Sequence, residues 1–142
     1  MANEEHLKRL REAIAARNIV AWNKWREENP IIPLLGGADL TRADLENANL
    51  KEADLRQAIL IEANLTGADL GKASLSRADL WGTNLREANL QGTDLREASL
   101  LRADLTGAKG LSWWQLKKAK ADKDTKLSPD LERLGPWEDW TR

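Results

Sequence analysis

The chain has 142 residues, 42% hydrophobic and 32% charged, with a net charge of −1; that is the size of one domain, with no global pull towards nucleic acid or an anionic membrane. It has no cysteine, which excludes disulfides and thiol chemistry, and no apolar run near the roughly 18 residues of a membrane span. Seven Trp without any Phe or Tyr leave the core to aliphatic side chains. The start, Met1-Ala2-Asn3-Glu4-Glu5, lacks the basic and apolar regions of a signal peptide, so a cytoplasmic location is expected.

From about Glu4 to Glu28, Leu7, Leu10, Ile14, Ala21 and Trp25 fall near helical spacing, with Asn3 as N-cap. Asn18-Ile19-Val20 is weak helix sequence where a break can fall. Asn29-Pro30 ends the segment, and Ile31–Leu35 reads as a stiff apolar connector into Gly36-Gly37.

Leu then recurs every fifth residue: Leu40, Leu45, Leu50, Leu55, Leu60, Leu65, Leu70, Leu75, Leu80, Leu85, Leu90, Leu95, Leu100 and Leu105. Two residues earlier stands Ala, replaced only by Thr83 and Thr93. Between them sits Asp or Asn in eleven of fourteen units, the exceptions being Ile59, Ser74 and Ser99. A period of five fits neither the 3.6-residue helix nor the two-residue flat strand. A chain that turns a corner every five residues does fit it. Such a chain points every Leu at a common axis, with the small residue also inside. Asp and Asn suit the bend because their side chains bond nearby backbone, and Gly37, Gly67, Gly71, Gly82, Gly92 and Gly107 fall only at the two variable positions.

Units such as Ala38-Asp39-Leu40-Thr41-Arg42 and Ala43-Asp44-Leu45-Glu46-Asn47 resemble the A(D/N)LXX signature of the pentapeptide repeat family. The resemblance implies a right-handed quadrilateral β-helix with four units per coil, an all-β solenoid whose Leu and small residues both face inward. Fourteen units then make about three and a half coils, roughly 17 Å tall at the spacing of adjacent strands. The chain divides into an N-terminal helical cap and connector (1–35), the β-helix (36–108) and a C-terminal helical cap and tail (109–142). In the last part Gly110 stands where a fifteenth Leu is due, and Ser112-Trp113-Trp114-Gln115 has capping-box spacing for a helix from Trp113 to about Lys120. Ser128-Pro129 and Gly135-Pro136 bracket a further helical turn or two. Both flanks, Ala21-Trp22-Asn23-Lys24-Trp25-Arg26 and Ala108-Lys109-Gly110-Leu111, resemble those of bacterial and especially cyanobacterial members, more loosely than the repeat does.

Chemistry-bearing groups are few. His6 is the only histidine, so one chain builds no two-His metal site and no His-based triad, and no phosphate-binding loop, dinucleotide fingerprint or EF-hand pattern is present. No catalytic residue, cofactor or metal is expected. The Asp39, Asp44, Asp54, Asp69, Asp79, Asp94 and Asp104 series is explained by turn formation without calcium.

With four units per coil, residues twenty apart stack. The face of Leu40, Leu60, Leu80 and Leu100 then carries an outward column Thr41, Ile61, Trp81, Leu101, joined by Ile59, while the other three faces are polar. Ile59, Ile61, Trp81 and Leu101 form the candidate interaction surface, covered either by the chain's own tail (Trp137, Trp140) or connector, or by a partner or second copy. Arg42 with Glu62 and Glu52 with Lys72 are stacked pairs. Arg56, Arg77 and Arg96 share a solvated face with Asp54, Asp94 and Glu97. The expected function is a non-catalytic protein-interaction or scaffolding module, a monomer or weak dimer, whose partner is another protein and neither nucleic acid nor membrane. The competing possibility comes from the family, some members of which resemble duplex DNA and inhibit topoisomerases such as DNA gyrase. The coil would span only about 5 base pairs at 3.4 Å each, and its net charge of −4, from eight basic and twelve acidic groups, is a weak field.

Overall fold

The computed structural model describes residues 1–132. Helix α1 (Glu4–Ala15) starts at Asn3, whose side chain accepts the N–H groups of Glu5 and His6. It ends where Arg17 takes a φ of 51°, and Asn18 caps helix α2 (Ile19–Glu28) by accepting from Ala21 N–H. The helical stretch therefore breaks at its weak sequence, and the break resets the helical phase. Trp22 is buried, whereas Ala21, which continuous spacing would place inside, is exposed.

Beyond α2 the chain winds. Single-residue parallel bridges pair Asp39 with Ile59, Asp44 with Asn64, Asn49 with Asp69 and so on, each twenty residues apart, so four pentapeptides complete one circuit. Among the described residues the rungs are single bridged residues, because each unit spends its next residues on a corner. At a typical corner Ala63 N–H donates to Leu60 O (3.0 Å) and Glu62, the second of the two residues between, has a φ of 55°. A positive φ at the third turn position alone is the type II pattern. It recurs whether that residue is Gly67, Lys72, Arg77 or Gly82. Gly71 occupies the position before it, where no positive φ is needed. What constrains it is space, since a Cβ there would lie 3.1 Å from both Asn89 Nδ2 and Asp69 Oδ1.

Inside the coil the repeated Leu residues from Leu40 to Leu105 are at most 3% exposed, each burial contributing on the order of 2 kcal/mol of transfer free energy. Coils are stitched by backbone bonds such as Leu60 N to Asp79 O (2.8 Å), Glu62 N to Trp81 O (2.9 Å) and Asp79 N to Ala58 O (2.9 Å). All eleven Asp and Asn side chains of the fourteen units accept the N–H two residues on, at 2.9–3.2 Å. Thr83 and Thr93 are more than tolerated in the small-residue place. Their buried hydroxyls donate to Leu60 O (2.7 Å) and Leu70 O (2.8 Å) one coil away.

The ladder overruns the expected 36–108 at both ends. Leu34 already bridges Asp54 and Leu35 is buried in the Leu place, so the connector's second half is itself a rung. At the other end Gly110 replaces Leu because a Cβ there would meet Gln91 backbone at 2.8 Å, and the chain leaves the frame. Helix α3 (Trp113–Lys117), with the Ser112/Gln115 capping box, takes one side. Its Gln115 Nε2 donates to Leu90 O and Thr93 O, and Leu116 is buried. The ladder then resumes with steps of 21 and 22, Ser99 to Lys120 and Asp104 to Lys126, and Thr125 repeats the threonine bond by donating to Leu100 O. Helix α4 (Pro129–Glu132) follows with Pro129 first. Gly135, expected to close it, lies outside the described residues.

The first coil has no coil before it, and side chains of α1 and α2 take over the missing bonds. Trp22 Nε1 donates to Asn49 O (2.9 Å), Asn23 exchanges bonds with Asn47 O and Asn49 N, and Arg26 donates to Lys51 O. Arg11 donates to Asp39 O, and Asn3 N–H to Leu34 O.

Candidate functional site

Each corner sends the residue after Leu outward, so a column forms wherever four units complete a circuit. On the side of Leu40, Leu60, Leu80 and Leu100 that column runs Thr41, Ile61, Trp81, Leu101 and, after the resumed ladder, Asp122. Ile59 lies beside it, bridged to Asp39 and Asp79 in the place where Asp or Asn is usual. The structure brings Ile59, Ile61, Trp81 and Leu101 to one face, and all four are half-buried. Rungs stacked about 4.8 Å apart let neighbouring side chains of the column cover one another from solvent.

Trp81 has a further neighbour. The Arg102 guanidinium lies over its ring at 5.6 Å, a contact worth about 0.5–1 kcal/mol at an exposed site. Arg102 is itself placed by the returning segment: its N–H donates to Asp122 Oδ1 (3.2 Å) and its Nε lies 3.9 Å from Asp124 Oδ2. The stripe is thus bounded by polar residues, Thr41 at one end and Asp122 at the other.

The connector does not cover it. Asp54 N–H donates to Pro33 O and Leu35 N–H to Asp54 O on the adjoining side, and Ile31 and Ile32 remain about half exposed. The alternative cover, Trp137 and Trp140, lies outside the described residues.

The other outward columns are polar and largely self-paired. Arg56 and Arg96 each grip the Asp two residues earlier through two nitrogens, at 2.7–2.9 Å, and these bonds hold the Asp54 and Asp94 carboxyls below their ordinary range. Arg77 pairs with Glu97 one coil on (3.1 Å), and Arg86 with Asp104 (3.2 Å). Arg42 and Glu62 form the expected pair at 2.7 Å. Glu52 and Lys72 do not form theirs; Glu52 acts electrostatically on Arg26, which α2 brings to the edge of the first coil. The Lys72 stem instead packs beside Gly92, its Cγ 3.4 Å from where a Cβ would stand.

Among the described residues no three His, Cys, Asp or Glu side chains group as metal ligands, and no helix is long and apolar enough to cross a membrane. His6 is buried, with Nδ1 accepting Leu34 N–H at 3.0 Å and its ring 5.5 Å from that of Trp25. Sequence reasoning missed this bond and those of Trp22, Asn23 and Arg26 to the first coil. The run Ala21–Arg26 was the available signal, but its targets are backbone atoms that only the wound chain reveals.

The family profile described as Pentapeptide repeats matches residues 38–77 and 73–109. Among solved structures, the pentapeptide repeat protein Rfr23 of the cyanobacterium Cyanothece 51142 aligns with a TM-score of 0.58 and 36% identity, over 70% of this chain and 66% of that one. The present chain thus spans just under two thirds of that relative's length. A pentapeptide repeat protein from the Arabidopsis thaliana thylakoid lumen aligns with a TM-score of 0.55 and 29% identity, over 70% of this chain and 71% of that one. QnrB1, a plasmid-mediated fluoroquinolone resistance protein, aligns at 20% identity over 72% of this chain and 69% of its own, with a TM-score of 0.30, a likeness too slight to bear on function. No protein of curated function matches the sequence.

Proposed function

The chain belongs to the pentapeptide repeat family, whose fold is the right-handed quadrilateral β-helix, and from that premise we propose that it is a non-catalytic protein-interaction module. Its contact surface is the stripe of Ile59, Ile61, Trp81 and Leu101. The observation that carries this reading is chemical contrast: on the other sides of the coil the outward columns are polar and carry Arg–carboxylate pairs, whereas here three successive rungs present Ile, Trp and Leu. Apolar columns of this kind mark docking, and Trp is enriched where docking energy concentrates.

The fourteen repeats supply about three and a half coils as a rigid core, with α1 and α2 serving as a cap at one end and α3 at the other. The partner is another protein, met in the cytoplasm by a monomer or weak dimer. A duplex-mimicking inhibitor of a topoisomerase is the weaker reading, since mimicry needs an unbroken acidic face and Asp54, Asp94 and Asp104 are each engaged by Arg on their own faces.

Capture from native lysate with wild type, Trp81→Glu and Arg86→Glu tests the reading. Proteins retained by wild type and Arg86→Glu should be lost with Trp81→Glu, provided circular dichroism shows all three folded. Identical capture by all three would remove the stripe as the contact surface.

A further inference from the structure

His6 is the only histidine in the chain and it is 8% exposed, yet no ion pair holds it among the described residues. Its Nδ1 accepts the backbone N–H of Leu34 at 3.0 Å, while Asn3 N–H donates to Leu34 O at 2.8 Å. The start of α1 therefore grips one residue from both sides. That residue is the first of the ladder, bridged to Asp54.

We propose that His6 is a pH-sensitive latch, holding α1 on the first rung when its ring is neutral and releasing it when the ring is protonated. The bond to Leu34 requires a bare nitrogen at Nδ1, so the neutral ring carries its proton on Nε2. Protonation places a second N–H at Nδ1, facing the Leu34 N–H, and turns an acceptor into a donor. Histidine is the side chain whose free form changes charge between about pH 5 and pH 8.

Among the described residues no acid is paired with the ring. From α1, Arg9 shares the Trp25 ring with His6, and Glu5 is already bonded to Arg9 at 3.1 Å. From α2 comes Arg26, which donates to the carbonyls of Ile31 and Lys51 and faces Glu52. From the ladder, Asp54 is gripped by Arg56 and lies near the N-terminal amine. Each of these acids is engaged by an Arg elsewhere. Loosening at His6 frees Leu34, and with it the rung that separates the coil's N-terminal edge from solvent.

The test is amide exchange in the full-length protein by NMR, with the single histidine ring signal followed in the same samples. The Leu34 amide should lose about tenfold in protection as pH falls from about 8 to about 5, in step with the ring signal. Leu60, an interior rung, serves as the internal reference and should keep its protection. In His6→Asn the side-chain oxygen stands near the place of Nδ1 and does not titrate, so Leu34 protection should stay constant. The latch is overturned if Leu34 protection is independent of pH in wild type, if it falls equally at Leu60, if it falls as far in His6→Asn, or if the ring signal does not titrate in this window.

Discussion

Leu80 and Arg86 stand in adjacent units, one wholly inside and one outside. Leu80 is 0% exposed in a middle coil, where neighbouring rungs are fixed by backbone bonds and cannot collapse into a void. Leu80→Ala should cost about 2–5 kcal/mol. Arg86→Ala removes an exposed pair with Asp104 and should cost about 0–1 kcal/mol. Urea denaturation of both variants checks this, and equal losses would refute the inside–outside alternation. This alternation was legible because period five repeats fourteen times along the sequence and leaves only one way to bury every Leu. The backbone twist at each corner was legible only in part. Gly marked it at Gly67 and Gly82, but Arg42, Glu52, Lys72 and Glu97 adopt the same positive φ, imposed by winding and not by residue type. The threonine bonds were hidden too, since Thr83 and Leu60 are 23 residues apart and meet only after one circuit.

At the scale of elements, local chemistry announced the helix starts: Asn3 and Ser112 cap as their sequences suggest, and Asn18 turns the weak stretch into a second start. Where the helices sit was not legible, because their anchoring bonds reach backbone carbonyls that carry no side-chain signature. Those bonds define what α1 and α2 do. Trp22, Asn23 and Arg26 occupy the donors and acceptors of Asn47, Asn49 and Lys51 that an earlier coil would otherwise use. Removing residues 1–30 leaves these groups open, together with the apolar end beneath them. An open edge of this kind pairs with other chains. The shortened protein should keep its coil by circular dichroism but associate with rising concentration in sedimentation. If it stays monomeric at concentrations where wild type does, the two helices have a different role.

For the whole molecule, acid stability pits two opposing effects against each other. The coil's net charge of −4 is self-repulsive, and relieving it by protonation would stabilise the fold at low pH. Against this stand carboxylates whose folded environments favour the charged form. Asp54 and Asp94 are lowered chiefly by side-chain bonds from Arg56 and Arg96, and Asp39 by the Thr41 hydroxyl. Burial works against Asp104 and Asp122, yet bonds from Thr106 and from the Arg102 N–H, among others, leave both lowered as well. A carboxyl with a depressed folded value contributes stability above its unfolded value, near about 3.9 for Asp. That contribution disappears as pH falls through the folded value. The bonded carboxylates act at contact distance, whereas repulsion between exposed charges on different faces is screened beyond about 8–10 Å at moderate salt. The local bonds should therefore win, and the urea midpoint should fall below about pH 4. Asp94→Asn separates the two effects, because Asn keeps the turn acceptor used in Asn64, Asn84 and Asn89 while losing the charge that Arg96 grips. The variant should be less stable than wild type near neutrality and lose less on acidification. A midpoint that rises as wild type is acidified would mean that repulsion governs and the paired carboxylates contribute little.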